Sequence, residues 1–152
     1  MNNISRRNFI LLSGLGIPFF FSACEKEISG EIQEIKWDRD MCDRCKMVIS
    51  DRKHAAQVIN MKNGRVYKFD DIGCVPLWFK EENITWKDNA KIWITDVDTG
   101  KWIDARKAFY DGMTVTPMAY GFAAHETKKA IKPDLEVFTF SDMEKRVLAR
   151  GR

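Results

Sequence analysis

Ala55-Ala56-Gln57-Val58-Ile59-Asn60-Met61 and Arg65-Val66-Tyr67-Lys68-Phe69 are two short apolar runs on either side of Asn63-Gly64. Asn-Gly between such runs is the strongest short-range hairpin signal, because a type I′ turn needs positive φ at both central residues. Asp70-Asp71 follows at once and offers an N-cap for a helix running roughly Ile72 to Lys80, with Pro76 near its first turn. Strand, strand, helix is therefore the reading of this stretch.

The same order recurs downstream. Lys91-Ile92-Trp93-Ile94-Thr95 and Lys101-Trp102-Ile103 flank a turn at Asp98-Thr99-Gly100, and Asp104 can cap a short helix through Tyr110. Phe69-Asp70 aligned on Ile103-Asp104 gives a weak internal repeat of about 34 residues, too few copies for a solenoid. Tyr120 to His125 is a further strand-like run, Glu126 to Ile131 a charged helical segment, and Glu136 to Phe140 alternates as a strand. Ser141-Asp142-Met143-Glu144 has the pattern of a capping box opening a terminal helix. Hairpins mixed with helices predict an α+β fold: one small domain built from two ββα-type units with antiparallel hairpins.

The N-terminus has the three parts of an export signal. Arg6-Arg7 carry the charge, Phe9 to Phe21 is almost wholly apolar, and Phe21-Ser22-Ala23-Cys24 closes with small residues before a cysteine. Ser5-Arg6-Arg7-Asn8-Phe9-Ile10-Leu11 resembles a twin-arginine signal, a route for proteins folded or metal-loaded before export. The apolar run is about 13 residues, short of the roughly 20 that a spanning helix needs. Phe21 to Cys24 resembles a lipobox, which implies cleavage before Cys24 and lipidation of its sulfur. The expected organisation is a signal over 1–23, the lipidated cysteine and a tether over 24–34, and a metal-binding domain over 35–152. About 130 residues after the signal suffice for one domain with a real core. Losing Arg6 and Arg7 takes the formal charge from +3 to about +1, so nothing argues for nucleic acid. The expected location is extracytoplasmic, anchored at the periplasmic face or the cell surface.

Cys42-Asp43-Arg44-Cys45-Lys46-Met47 carries the chemistry. It sets three soft sulfur donors within six residues. Thiols outside the cytoplasm tend to become disulfides, but a thioether cannot close one and is a good ligand for Cu(I). With Cys24 assigned to lipid, Cys42, Cys45 and Cys74 remain, an odd count that fits ligation better than a disulfide framework. If Cys45 to Ile49 is extended, Cys45 and Met47 share a face. Cys74 falls in the first turn of the expected helix, where its thiolate would be stabilised. Met118 is a further candidate, and His125 can join it on one ion only if Gly121 marks a bulge.

Other readings of the same residues stay open. Cys42 and Cys45 could form a plain disulfide or a redox-active pair. Cys42, Cys45 and Cys74 with His54 or His125 could make a Cys₃His zinc set, although a second paired motif is missing. Met47 could be core filling. The two rivals to copper handling are thus a zinc- or disulfide-stabilised interaction module and a thiol-disulfide oxidoreductase. No nucleophile-base-orienter set, phosphate loop or HExxH is visible, so an enzyme is not expected.

Cys24, Cys42-x-x-Cys45-x-Met47-x-Ile49, Ala55-Ala56-Gln57, Phe69-Asp70-Asp71-Ile72-Gly73-Cys74 and Met118-x-Tyr120-Gly121-Phe122 together resemble the NosL family, over roughly residues 35 to 140. Its members are lipid-anchored accessory factors of nitrous oxide reductase. The resemblance implies Cu(I) binding, with Cys45 and Met47 as the family's Cys-x-Met pair and Cys42, Cys74 or Met118 completing the shell. It implies delivery to nitrous oxide reductase or its maturation membrane complex, in denitrification. A monomer is expected. Many members have glycine between that cysteine and methionine, where this chain has Lys46.

Overall fold

The computed structural model describes residues 28–151, so the export signal and the lipidation candidate Cys24 lie outside the described residues. Strands β1 (Ala56–Ile59) and β2 (Val66–Phe69) form the expected hairpin, Ala56 opposite Phe69 and Ile59 opposite Val66. Its turn is not the two-residue type I′ turn. The Asn60 carbonyl accepts from the N–H groups of Asn63 (3.2 Å) and Gly64 (2.8 Å), the Asn60 N–H donates to the Arg65 carbonyl (2.9 Å), and the loop's positive φ falls on Gly64 (73°). Asn60 starts the reversal early because its side-chain oxygen takes the Lys62 N–H at 2.9 Å, and one left-handed glycine then completes it.

Strands β3 (Lys91–Thr95) and β4 (Trp102–Asp104) repeat that device. Asp96 stands for Asn60 and Gly100 (φ 71°) for Gly64: the Gly100 N–H donates to the Asp96 carbonyl at 2.8 Å, and the Asp98 N–H to its carboxylate at 3.0 Å. The repeat is therefore aligned on its turns and is slightly longer than the Phe69/Ile103 alignment suggests. The two hairpins join through β1 and β3 into one antiparallel sheet, order β2-β1-β3-β4.

One face of this sheet, with Val58, Phe69, Ile92, Ile94 and Ile103, is buried in the core with α1 (Cys74–Glu81). The Trp78 ring on α1 packs against Tyr67 (4.6 Å between centroids) and Phe69 (5.3 Å), with Trp86 completing the aromatic layer. On the other face, Gln57 is fully buried. It exchanges hydrogen bonds of 2.9 and 2.8 Å with the backbone of Gln33, and Trp93 Nε1 donates to the Gly30 carbonyl at 3.0 Å. Residues 30–33 thus lie across the sheet.

The α+β class and the antiparallel hairpins stand, and the first ββα unit forms as expected. The second hairpin, however, is not followed by the helix expected from Asp104 to Tyr110. Asp104 does accept from the N–H groups of Arg106, Lys107 and Ala108, but only in a turn, and the chain then enters β5 (Phe109–Asp111). Tyr110 explains why. It is fully buried, its hydroxyl donates to the Ala105 carbonyl at 2.6 Å, and its backbone exchanges two hydrogen bonds with Phe138 (2.9 and 2.8 Å). A helical Tyr110 would have spent those backbone groups within its own turn. The Tyr120–His125 run is a strand only as β6 (Ala123–His125), paired with β5. Glu126–Ile131 supplies just a 3₁₀ turn at Lys128–Ala130, and Glu136–Phe140 just the Phe138 bridge. The terminal helix α2 (Phe140–Arg150) opens two residues earlier than expected. Thr139 and Asp142, not Ser141 and Glu144, form its capping box, which lets Phe140, Met143 and Val147 face the core.

His125, the last residue of β6, is clamped between Asp111 at the end of β5 and Asp98 in the β3–β4 turn. Its Nδ1 lies 2.7 Å from Asp98 and its Nε2 3.0 Å from Asp111. Burial opposes charging the ring, but the hydrogen bonds to Asp111 and Asp98 outweigh it and hold the pKa above the ordinary 6.5. Charged His125 therefore stabilises the fold fully below about pH 6.5, and that contribution is lost as pH rises through the folded-state pKa. Thermal unfolding of wild type and His125→Gln across this range should show the gap narrowing as pH rises. A gap that widens or stays constant would refute the clamp.

Candidate metal centre

The 41–49 segment is a small hairpin rather than a strand. Met41 bridges Val48, the Cys42 N–H donates to the Met47 carbonyl at 2.8 Å, and the Lys46 N–H donates to the Cys42 carbonyl at 3.0 Å. Lys46 closes this turn at φ 60°, the left-handed region that glycine adopts freely and a side chain enters at a cost of about 1 kcal/mol. The strand alternation expected to put Cys45 and Met47 on one face therefore does not apply. The turn instead carries Cys45, half-buried, towards the fully buried Cys42 and leaves Met47 half-exposed. Contact between the two residues survives through the backbone, since the Met47 N–H points at the Cys45 sulfur.

The two residues inside Cys-x-x-Cys fasten this turn to the rest of the fold. Asp43 exchanges hydrogen bonds with the backbone of Lys68 on β2, N–H to carbonyl at 2.8 Å and carboxylate to N–H at 2.7 Å. Arg44 donates to both carboxylate oxygens of Glu81 (2.9 and 2.7 Å) and to the Tyr120 hydroxyl (2.9 Å).

Cys74 arrives from the other side as the first residue of α1. The Asp70-Asp71 pair does not cap that helix: the N-cap is Gly73, with no side-chain bond. Asp71 serves the site differently. Its Oδ1 accepts from the Gly73 N–H (2.9 Å), and its Oδ2 accepts from the Thr116 hydroxyl (2.6 Å) and the Met118 N–H (3.1 Å). One buried carboxylate thereby ties the start of α1 to the turn carrying Met118, which packs partly buried at the edge of the core.

The sulfurs of Cys42, Cys45 and Cys74 all lie within 4.8 Å of one another. Their charges are unequal. The Cys74 thiol donating to Cys42 lowers the Cys42 pKa to about 5, with the N–H groups of Asp70 and Cys45 adding to this against the effect of burial. The same bond, then burial, pushes Cys74 upwards. Burial raises Cys45 as well. The thiolate thus settles on Cys42, not on Cys74 at the helix start as the sequence suggests. Asp70, buried beside this charge, rises to about 6, first from desolvation and then from Cys42, and its Oδ1 has no partner among the described residues.

Among the described residues the cluster contains no histidine. Neither His54, whose Nδ1 bonds Asp51 at 3.0 Å, nor His125, held by its two aspartates, joins the three sulfurs, so the Cys₃His zinc set does not assemble. The bulge that would have brought His125 to Met118 is replaced by a turn, with positive φ at Ala119 (57°) and Gly121 (85°). Three sulfurs, one of them reachable from solvent, form a site suited to a soft cation of low coordination number, whereas closed zinc sites take four ligands. Cys42-x-x-Cys45 lies in a turn and not at a helix start, which here carries Cys74; the low pKa of Cys42 comes instead from the Cys74 thiol.

This assembly sits within a stretch that the sequence profile of NosL matches, residues 34–132. The chain belongs to the NosL family. The fold agrees with the crystal structure of the copper chaperone NosL from Shewanella denitrificans, with a TM-score of 0.61 at 14% identity over 74% of this chain and 95% of that one. No curated protein matches the sequence. The sequence of this NosL-family chain points to the three cysteines that meet here, but not to Arg44 or to the second task of Asp71. Neither carries a local signal, because their partners are 37 and 45 residues or more away.

Proposed function

We propose that this NosL-family protein is a copper carrier and not an enzyme. It takes one Cu(I) as cargo on the sulfurs of Cys42, Cys45 and Cys74, with the thioethers of Met47 and Met118 at the rim. It works outside the cytoplasm, tethered through lipid on Cys24, and delivers copper to nitrous oxide reductase or its maturation membrane complex. The observation that carries the reading is the meeting of three cysteine sulfurs within 4.8 Å, one half-exposed. Low coordination by thiolate and thioether holds Cu(I) yet leaves it open to an acceptor's ligands, which transfer requires. Among the described residues no helix is long and apolar enough to cross a membrane. Family membership supports the copper cargo, since the Shewanella protein is itself described as a copper chaperone; the client is what the NosL resemblance implies.

The reduced lipoprotein should bind Cu(I) near one per chain and prefer it strongly to Zn(II). Met47→Ala should weaken Cu(I) about tenfold, close to 1.4 kcal/mol, without changing zinc. Equal loss of both metals, or tight zinc binding indifferent to Met47, would overturn the copper assignment.

A further inference from the structure

Two segments bring the three cysteine sulfurs together, the 41–49 hairpin with Cys42 and Cys45 and the first residue of α1 with Cys74, and a third, the turn with Met118, is tied to the start of α1 through Asp71. Arg44 reaches from the first to both of the others. Its fork holds Glu81 in the last turn of α1, roughly two turns or 10 Å along the helix from Cys74. Its remaining nitrogen holds the hydroxyl of Tyr120. The Tyr120 ring in turn lies on Gly73, so close that a Cβ on Gly73 would stand 2.2 Å from it. Arg44 is thus fastened at one end of α1 directly and at the other, beside Cys74, through the tyrosine. A planar guanidinium can make these contacts together; an ammonium is a point charge and cannot.

We propose that Arg44 is a positioning residue of the copper site: it holds the Cys42–Cys45 turn against α1 at the separation where three sulfurs share one ion, and so sets how fast that ion is released. This rests on the copper-carrier reading. The Glu81 side chain is 49% exposed against 14% for Arg44, so the clasp is open to water on its acidic side. Salt screens such a pair, and an acceptor's own charges can compete for it. Release therefore accelerates with ionic strength as long as the clasp is present.

The test uses the full lipoprotein in detergent, loaded with one Cu(I), and follows transfer to a bidentate Cu(I) chelator such as bathocuproine disulfonate. Arg44→Met should speed release by about 10- to 100-fold, the usual effect of losing a group that orients metal ligands. X-ray absorption should then count fewer than three sulfurs per copper. Glu81→Gln, an exposed change that does not threaten the core, should act in the same direction, and the double variant should be no worse than Arg44→Met. Arg44→Lys should restore only part of the effect. Arg146→Met, which breaks the exposed pair between Arg146 on α2 and Glu136 ahead of it (3.0 Å), should leave release unchanged. Salt should accelerate release from wild type and not from Arg44→Met. Wild-type release rates and three sulfurs in both Arg44→Met and Glu81→Gln would overturn the proposal, as would equal acceleration by Arg146→Met. A wild-type protein that fails to retain Cu(I) would instead overturn the carrier reading beneath it.

Discussion

Replacing Cys45 by serine is expected to lower Cu(I) affinity by roughly three orders of magnitude, about 4 kcal/mol. Cys45 is the half-exposed member of the sulfur cluster, and Cys42 and Cys74 are buried behind it. On the proposed carrier reading, its loss removes both a soft donor and the sulfur by which copper would enter and leave. The hydroxyl put in its place is a hard, neutral donor that Cu(I) does not favour. The two remaining sulfurs share a hydrogen bond, with the charge on Cys42 and the proton on Cys74. Competition against a Cu(I) chelator measures the change directly. In cells, the variant should leave nitrous oxide reductase exported but short of copper, so that nitrous oxide accumulates. Fully metallated reductase in such cells would mean that the cluster is structural and that the protein serves its client by another contact.

Gly73→Ala is expected to be the most damaging single methyl group in this fold. Gly73 has φ −64°, which any residue adopts, so backbone strain is not the cause. The cost is contact: a Cβ would lie 2.2, 2.3 and 2.7 Å from three atoms of Tyr120. That ring is only 2% exposed and is held by Arg44, so it cannot swing aside without opening the Arg44 clasp. Overpacking of this kind costs about 3 kcal/mol, which for a domain of this size lowers the melting temperature by roughly 10 °C. The cysteine cluster should loosen with it, since Tyr120 also borders the start of α1. A melting temperature within about 2 °C of wild type would show that the ring has room to give.

Much of this protein is legible locally. Asn60 and Asp96 turn the chain with their own side chains, and Gly64 and Gly100 complete the reversal, so both hairpins can be read from a few adjacent residues even though the turn type is decided in the folded chain. The helix starting at Cys74 and the motif Cys42-x-x-Cys45-x-Met47 are likewise local. What fails is whatever depends on a distant partner. Asp104 to Tyr110 has a cap and helix-compatible residues, and local preference alone favours a helix. Burial of Tyr110 against Phe138 makes it a strand, because tertiary packing outweighs a propensity of a few tenths of a kcal/mol per residue.

The sequence by itself determined the α+β class, the antiparallel hairpins and the supply of soft donors, because turn chemistry and side-chain type act over a handful of bonds. Only the tertiary structure decided that Cys74 closes on Cys42 and Cys45, that the thiolate rests on Cys42, and that Asp71 and Arg44 hold the pieces together. Those contacts join segments far apart in the chain. Nothing in the residues between them specifies the distance across which two ends will meet.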